Sequence, residues 1–329
     1  MGDVGERLKL MENIKSYAYD NGKIENGLEG WKKEYSESLQ KEVFCKNKQR
    51  NSCGRVYCDP DEGNIEYYTQ ICHFLNSQEQ KIIEKNKRYH YCTGIYNEKA
   101  RINVCKNRKF IFCLKSDQFG FSAPTYKNKN THPYGVYYNG ADDKAEAIAN
   151  IVKWVYITRT IGGSFLWPEV KGTSYNIYRG GSIPRDNRRY MQDRVDLALL
   201  EVSHFFSDNY EQYKNDMLYR QIKKENTHMK EWLEHFGSFE TFVTYFKFDD
   251  FVEKKDGVID GVKSIIDGKK LNDKGRENCE LPQDSEGLYK VLDRITDMIY
   301  KRTNKMEEIL KPFNNKIIKK VNIICLTKS

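Results

Sequence analysis

Three arginines and one glutamate carry the most developed chemistry that the sequence suggests: Arg159, Arg179, Arg194 and Glu201. Arg159 and Arg179 each precede glycines, which let the backbone approach a ligand. A guanidinium binds phosphate oxygens bidentately, so the two together are a good clamp for a diphosphate. Arg194 and Glu201 lie seven residues apart on one face of a predicted helix, where Glu201 would polarise a ribose hydroxyl or act as a base. The structural alternative is an Arg194–Glu201 ion pair with the other arginines at the surface.

Carboxylates, cysteines and histidines suggest weaker alternatives. Carboxylate oxygens hold Mg²⁺ in phosphodiester hydrolysis, but neither acidic pair of this chain has a nuclease spacing with a lysine. The thiols and imidazole that could form a zinc site lack a Cys-x-x-Cys knuckle. The histidines have no Cys, Ser or Asp at the spacing of a nucleophilic triad. We therefore predict no metal site and no nucleophilic triad. The carboxylates weighed for Mg²⁺ are Asp193, Asp196, Asp249 and Asp250; the zinc candidates are Cys53, Cys58, His90 and Cys92; and the histidines weighed for a triad are His204, His228 and His235.

Apolar periodicity predicts the elements that position these residues. The fold class is α+β: a mixed sheet with flanking helices in a single large domain, preceded by a loop-rich, cysteine-containing lobe. The ring-rich stretch 232–252 predicts buried core rather than a cofactor box, and 253–283 predicts a loop-rich connector. The predicted boundaries are 1–110 for the basic N-terminal lobe, 111–312 for the α/β core and 313–329 for a basic tail. Helices are predicted over 66–87, 142–161, 191–210 and 284–310, and strands over 89–95, 101–105, 110–114, 164–167 and 175–178.

Charge and cysteine usage indicate partners and compartment. The formal net charge is +8, and residues 76–115 hold ten Lys or Arg against three Glu. Such clustering attracts polyanions, so we expect nucleic acid to bind through the basic region 81–115; a solvated surface is the alternative. No apolar run approaches the ~20 residues of a membrane span, and the first residues are charged. These features and the odd count of nine cysteines predict a cytoplasmic protein with reduced thiols and no membrane partner.

Several stretches of the chain resemble an uncharacterised family of bacterial proteins. The resemblance covers roughly residues 110–310, and it implies a fold unit without an assigned reaction. The stretches are Leu114-Lys115-Ser116-Asp117, Arg159-Thr160-Ile161-Gly162-Gly163, Phe165-Leu166-Trp167-Pro168, Asn176 with Arg179-Gly180, Asp193-Arg194-Val195-Asp196-Leu197 leading to Glu201, and Phe236-Gly237-Ser238-Phe239 to Asp249-Asp250-Phe251-Val252.

A second resemblance is local. Asn176-Ile177-Tyr178-Arg179-Gly180 is similar to the first-strand arginine motif of ADP-ribosyltransferases of the Arg–Ser–Glu type. That resemblance implies that Arg179 grips the NAD diphosphate and that Ser238 stands in the supporting Ser strand. No clean Glu-x-Glu follows; Glu277-Asn278-Cys279-Glu280 is its nearest substitute.

The function expected from these features is that of a toxin-like or defence-related effector that transfers ADP-ribose from NAD to a macromolecule, with RNA or DNA as acceptors. An antitoxin or a regulatory protein is a further expected partner. The alternatives are a non-catalytic module that binds nucleic acid or protein, and a metal-dependent nuclease. The residues expected to act are Arg179, Glu201 and Arg194 in catalysis, and Arg159, Tyr175, Tyr178, Gly180 and Ser238 in NAD binding, with either tyrosine stacking on nicotinamide.

Overall fold

The computed structural model describes residues 65–96, 99–118, 160–168, 194–224, 227–272 and 285–326. Helices and antiparallel sheets alternate in these ranges, which confirms the α+β class. None of the helices in these ranges combines the length and apolar character of a membrane span. The elements are α1 (Ile65–Ile82), β1 (His90–Tyr96), β2 (Lys99–Lys106), β3 (Lys109–Gln118), β4 (Ser164–Pro168), α2 (Val195–Phe205), α3 (Met217–Lys224), α4 (Thr227–Glu234), α5 (Phe239–Phe246), β5 (Val252–Lys255), β6 (Val258–Val262) and α6 (Ser285–Leu326), with short 3₁₀ helices at Ile161–Gly163, Tyr210–Tyr213 and Asp249–Phe251.

Strands β1 to β4 form one antiparallel sheet in the order β1-β2-β3-β4. The β2–β3 connection is a two-residue turn at Asn107 and Arg108, both with positive φ, as a type I′ hairpin turn requires. Strands β1 and β2 precede residue 110; β1 pairs with β2, and β2 pairs with β3. The boundary predicted at residue 110 therefore runs through one sheet. The boundary predicted at residue 312 falls inside α6.

One face of this sheet is buried against helices. Along β2 and β3, alternate residues are in the core, which is the period-2 pattern of a half-buried strand, whereas all five residues of β4 are buried. Trp232 of α4 packs edge-on against Tyr91 and Phe112, with ring centroids 6.1 Å away in both cases. The rings of 232–251 are core, as predicted; those buried are Trp232, Phe236, Phe242, Tyr245, Phe246, Phe248 and Phe251.

Helix α6 closes the core by crossing the 3₁₀ helix that leads into β4. The two segments approach so closely that a Cβ on Gly162 would lie 2.6 Å from the Thr303 nitrogen and 2.8 Å from the Ile299 carbonyl oxygen. Immediately before Thr303, Arg302 is buried and donates to the carbonyls of Phe246, Gly162 and Ser164 at 2.8, 2.5 and 2.7 Å. Burial lowers the pKa of Arg302 to about 9. This residue joins α6, α5 and β4 through backbone acceptors.

The segment predicted as a connector after residue 252 begins with a β-hairpin. Strands β5 and β6 pair antiparallel around Asp256 and Gly257, both with positive φ. Asp-Gly between two short runs is a strong hairpin signal, so the prediction of a loop there was wrong for residues 253–262. Residues 142–159 of the predicted helix 142–161, the predicted strand 175–178, and Cys53 and Cys58 lie outside the described residues, and Ile161 begins a 3₁₀ helix.

Candidate acid–base site at the junction of two helices

Arg194 stands at the start of α2 and is a structural residue. Its side chain is buried, and it binds Asp196 through Nε–Oδ1 at 2.7 Å and Nη2–Oδ2 at 2.5 Å. Asp196 also accepts the Ile265 N–H at 2.9 Å. A guanidinium enclosed in this way ties α2 to the turn after β6. Its guanidinium is engaged by Asp196, and the catalytic role predicted for Arg194 stays a prediction.

Glu201 lies seven residues further along α2, roughly 10 Å along the helix axis. Its carboxylate oxygens accept the backbone N–H groups of Met217 at 3.1 Å and Leu218 at 2.8 Å. These are free N–H groups in the first turn of α3, where a carboxylate is favourable. Arg194 and Glu201 therefore do not form the ion pair that their spacing suggested. Arg194 pairs with Asp196, and Glu201 accepts N–H groups of α3.

The protonation of Glu201 is set by its surroundings. Burial, reinforced by the nearby negative charge of Asp216, raises its pKa to about 7, against the lowering effect of the Leu218 and Met217 N–H groups and Arg220. A carboxyl group that gains and loses its proton near neutral pH suits general acid–base chemistry. Sequence reasoning placed Glu201 in the site, but only the packing of α3 against α2 shows why its pKa is high.

His204 lies three residues after Glu201, so the two side chains project from neighbouring positions on one face of α2. The imidazole Nδ1 is 2.7 Å from Asp216 Oδ2, and the ring stacks on Tyr213 at 3.6 Å with an interplanar angle of 6°. Because the carboxylate accepts, Nδ1 carries hydrogen, and in the neutral form of the ring Nε2 presents a lone pair. Nε2 is buried and has no hydrogen-bond partner within the described part of the chain.

Aromatic and charged residues surround this pair. The Tyr210 hydroxyl is also buried without a partner among the described residues; burial raises its pKa, so it stays protonated. Tyr219 packs 5.0 Å from the Tyr210 ring and hydrogen-bonds to Glu211. Arg220 is exposed and donates to the backbone beside Asp216, at the carbonyls of residues 215 and 216. A cation therefore lies at the rim of the site.

A second buried polar cluster lies in the core and differs in one respect. The Glu79 carboxylate accepts from Tyr91 and Tyr245 at 2.8 Å, from the Tyr89 N–H at 3.0 Å, and lies 2.9 Å from His235 Nε2. Its oxygens are fully engaged by protein donors, which is typical of a structural network. Among the described residues, the Glu201–His204 cluster instead leaves His204 Nε2 and the Tyr210 hydroxyl without partners, so we take it as the candidate site.

Ser238 has a structural role that differs from the predicted one. It is the N-cap of α5, where its hydroxyl accepts the Thr241 N–H at 3.1 Å. It lies at a helix start and not in the supporting strand that the ADP-ribosyltransferase resemblance implies. The remaining predicted site residues, Arg159, Arg179, Tyr175, Tyr178 and Gly180, lie outside the described residues.

Two of the four carboxylates considered for a metal have lysine partners, and Asp196 pairs with Arg194. Asp249 pairs with Lys254 at 3.2 Å, and Asp250 pairs with Lys305 at 2.5 Å. Within the described ranges, no group of three or more His, Cys, Asp or Glu side chains is arranged to hold a metal ion. Asp193 is outside these ranges.

Asp216 is the site residue that sequence reasoning missed. It lies twelve residues after His204, beyond the 3₁₀ helix Tyr210–Tyr213, and no triad motif has that spacing. A weak signal existed: an Asp immediately before a helix is a common N-cap residue. That signal predicts a helix start, but it does not predict which side chain the carboxylate meets.

The fold and the site together describe an α+β protein with an acid–base cluster at the α2–α3 junction. Residues 59–306 match the family described as "Family of unknown function (DUF6994)". The chain belongs to this family, which agrees with the expected resemblance to an uncharacterised one. No curated protein and no solved structure matches the chain significantly.

Proposed function

We propose that the chain is an enzyme that transfers protons at the α2–α3 junction, and that it cleaves RNA without a metal. The observation that carries the proposal is His204: its Nδ1 is fixed by Asp216 at 2.7 Å while its Nε2 has no partner among the described residues. An unpartnered buried acceptor costs about 1–3 kcal/mol. Folds retain such a cost mainly where a ligand or water completes the site.

The proposed reaction uses two proton-transfer groups. His204 Nε2 takes the proton of a ribose 2′-hydroxyl as its oxygen attacks the adjacent phosphorus. Glu201, which is about half protonated at pH 7 because its pKa is about 7, gives a proton to the departing 5′-oxygen. The products are a 2′,3′-cyclic phosphate and a 5′-hydroxyl, and each proton is accounted for. Arg220 at the rim would stabilise the charged phosphorane.

An RNA substrate is supported by charge. The chain is +8 overall, and the basic region 81–115 contributes exposed lysines at the end of α1 and just after it, and exposed Lys106, Arg108 and Lys109 at the β2–β3 hairpin. Phosphate contacts of this kind supply most of the affinity for nucleic acid, with little sequence preference. Because Nε2 is buried, the proposal also requires the connection between α2 and α3 to open when substrate binds.

The test is cleavage of end-labelled RNA and DNA oligonucleotides by the full chain in the presence of a chelator. We expect RNA cleavage with 2′,3′-cyclic phosphate ends, and no cleavage where a 2′-deoxy residue replaces the attacking ribose. His204→Gln should lower the rate by about 10²–10⁴-fold, the usual contribution of a general base. His228→Gln, on α4 with a side chain 38% exposed, is the matched control. Intact RNA after incubation with the wild-type chain would refute the proposal.

ADP-ribosyl transfer from NAD is the second candidate, supported by the local resemblance around Arg179. Within the described residues, Arg194 and Ser238 do not add to that support, since one is enclosed by Asp196 and the other caps α5. Glu201 remains the carboxylate that would face the ribose. Incubating the chain with labelled NAD, RNA, DNA and cell lysate tests this candidate. Label transfer that disappears in Arg179→Ala would favour it over RNA cleavage.

A further inference from the structure

The face of the sheet opposite the core carries three cysteines. Cys92 lies on β1, Cys105 on β2 and Cys113 on β3. Their strand neighbours Tyr91, Val104 and Phe112 are buried, and alternation along a strand turns adjacent side chains to opposite faces. Cys92 is exposed, Cys105 and Cys113 are partly exposed, and none of the three is in a disulfide.

The strand register makes Cys92 and Cys105 diagonal neighbours. His90 lies opposite Cys105, and Cys92 lies opposite Asn103. Diagonal partners on adjacent antiparallel strands have Cα atoms on the order of 7–8 Å apart, with their Cβ atoms closer. A disulfide needs a Cα separation of roughly 4.4–6.8 Å, so a small shear of the β1–β2 hairpin brings the sulfurs together.

The Cys92 and Cys105 thiols interact electrostatically. Burial, followed by the neighbouring Cys92 thiol, raises the pKa of Cys105. Cys92 is the more exposed of the two and is therefore the thiol that an oxidant in solution meets first. Cys113 is in a different position: its thiol lies 3.4 Å from the Asn103 amide oxygen, which stands between it and Cys92 on the same face.

We propose that Cys92 and Cys105 form a reversible dithiol–disulfide pair that is oxidised by a hydroperoxide, with Cys92 as the attacking thiol and Cys105 as the resolving thiol. In the first step the Cys92 thiolate attacks one peroxide oxygen, the O–O bond breaks, and Cys92 becomes a sulfenic acid. In the second step the Cys105 thiolate attacks the Cys92 sulfur and water leaves. The net reaction consumes two thiols and one hydrogen peroxide and yields one disulfide and two waters.

The test is limited oxidation of the full chain with hydrogen peroxide, followed by thiol blocking, proteolysis without reductant and mass spectrometry of the peptides. We expect the Cys92 and Cys105 peptides to be linked, and the link to disappear on adding dithiothreitol. Cys113→Ser is the matched control, because it removes a thiol from the same face and should leave the link unchanged. In Cys105→Ser, a dimedone adduct should accumulate on Cys92.

Three outcomes would overturn the proposal. One is a chain in which Cys92 accumulates dimedone adduct although Cys105 is present. Another is a disulfide that joins Cys92 to a different cysteine. The third is the absence of any change at Cys92 when the chain remains folded by circular dichroism. None of these readouts uses RNA cleavage, so the dithiol proposal and the proposed function succeed or fail separately.

Discussion

The Glu201 carboxyl makes the stability of this protein depend on pH in a direction opposite to that of most carboxylates. Its pKa is raised from 4.5 to about 7 on folding. The folded chain therefore binds more protons than the unfolded chain between these two values. Stability must fall as pH rises through that window, because ionisation is easier in the unfolded chain. In Glu201→Gln the charge is absent, while the amide oxygen still accepts an N–H from the first turn of α3.

The size of the effect follows from the pKa change. Each pKa unit corresponds to about 1.4 kcal/mol, so a rise from 4.5 to about 7 sets an upper limit of roughly 3 kcal/mol. Glu201 as a whole residue is partly exposed, and solvent reduces this figure. We expect Glu201→Gln to match the wild type near pH 5 and to be more stable by about 1–2 kcal/mol near pH 8.

Equilibrium urea unfolding at several pH values, followed by tryptophan fluorescence, measures this difference, since Trp167 and Trp232 are both buried. Glu211→Gln is the control with the opposite sign. Hydrogen bonds from Lys223 and Tyr219 lower the pKa of Glu211, so its stabilising contribution is lost as pH falls. If the wild-type and Glu201→Gln stabilities differ by the same amount across the whole pH range, the assigned environment of Glu201 is wrong.

Substitutions at Gly162, Ser238 and Tyr245, with a control at Gly237, test the packing of the core. Gly162→Ala should lower the free energy of unfolding in urea by about 2–4 kcal/mol, because its Cβ would lie within 3 Å of the α6 backbone. Gly237→Ala is the control: Gly237 has φ of +71° and open space around it, so the loss should be only about 1 kcal/mol. Equal losses in the two variants would contradict the close approach of α6 to Gly162. Ser238→Ala removes the cap of α5 and should cost about 1 kcal/mol, with Ser238→Asn restoring most of it. Tyr245→Phe removes one hydrogen-bond donor from the buried Glu79 carboxylate and should lower the free energy of unfolding by about 1.5–3 kcal/mol, measured by thermal or urea unfolding. If the variant is as stable as the wild type, the network does not stabilise the core.

Local patterns predicted much of the fold. The helix over 66–87 appears as α1 (Ile65–Ile82), and the four strands between residues 89 and 167 appear as β1 to β4. Each has a clear apolar period, and each is bounded by turn residues. The hairpin of β5 and β6 was overlooked because its strands are short and polar, although its Asp-Gly turn was visible in the sequence.

The site was predicted less well, for a physical reason. Glu201 and Arg194 share a helix face, and helical spacing alone suggests that they pair. Asp196 is closer to Arg194 in the folded chain, and the first turn of α3 offers Glu201 two N–H donors. Which partner a charged side chain takes depends on the elements that pack beside it, and helical periodicity carries no information about them.

Composition and periodicity by themselves determined the class of the fold, the burial of the rings in 232–251 and the net charge of +8. These properties depend on residue type and on spacing within one element. The tertiary structure alone decided that His204 meets Asp216, that Glu201 holds its proton to about pH 7, and that Cys92 and Cys105 are neighbours. Each of these depends on a contact between separate elements, because burial and charge at a side chain are set by whatever the fold brings against it.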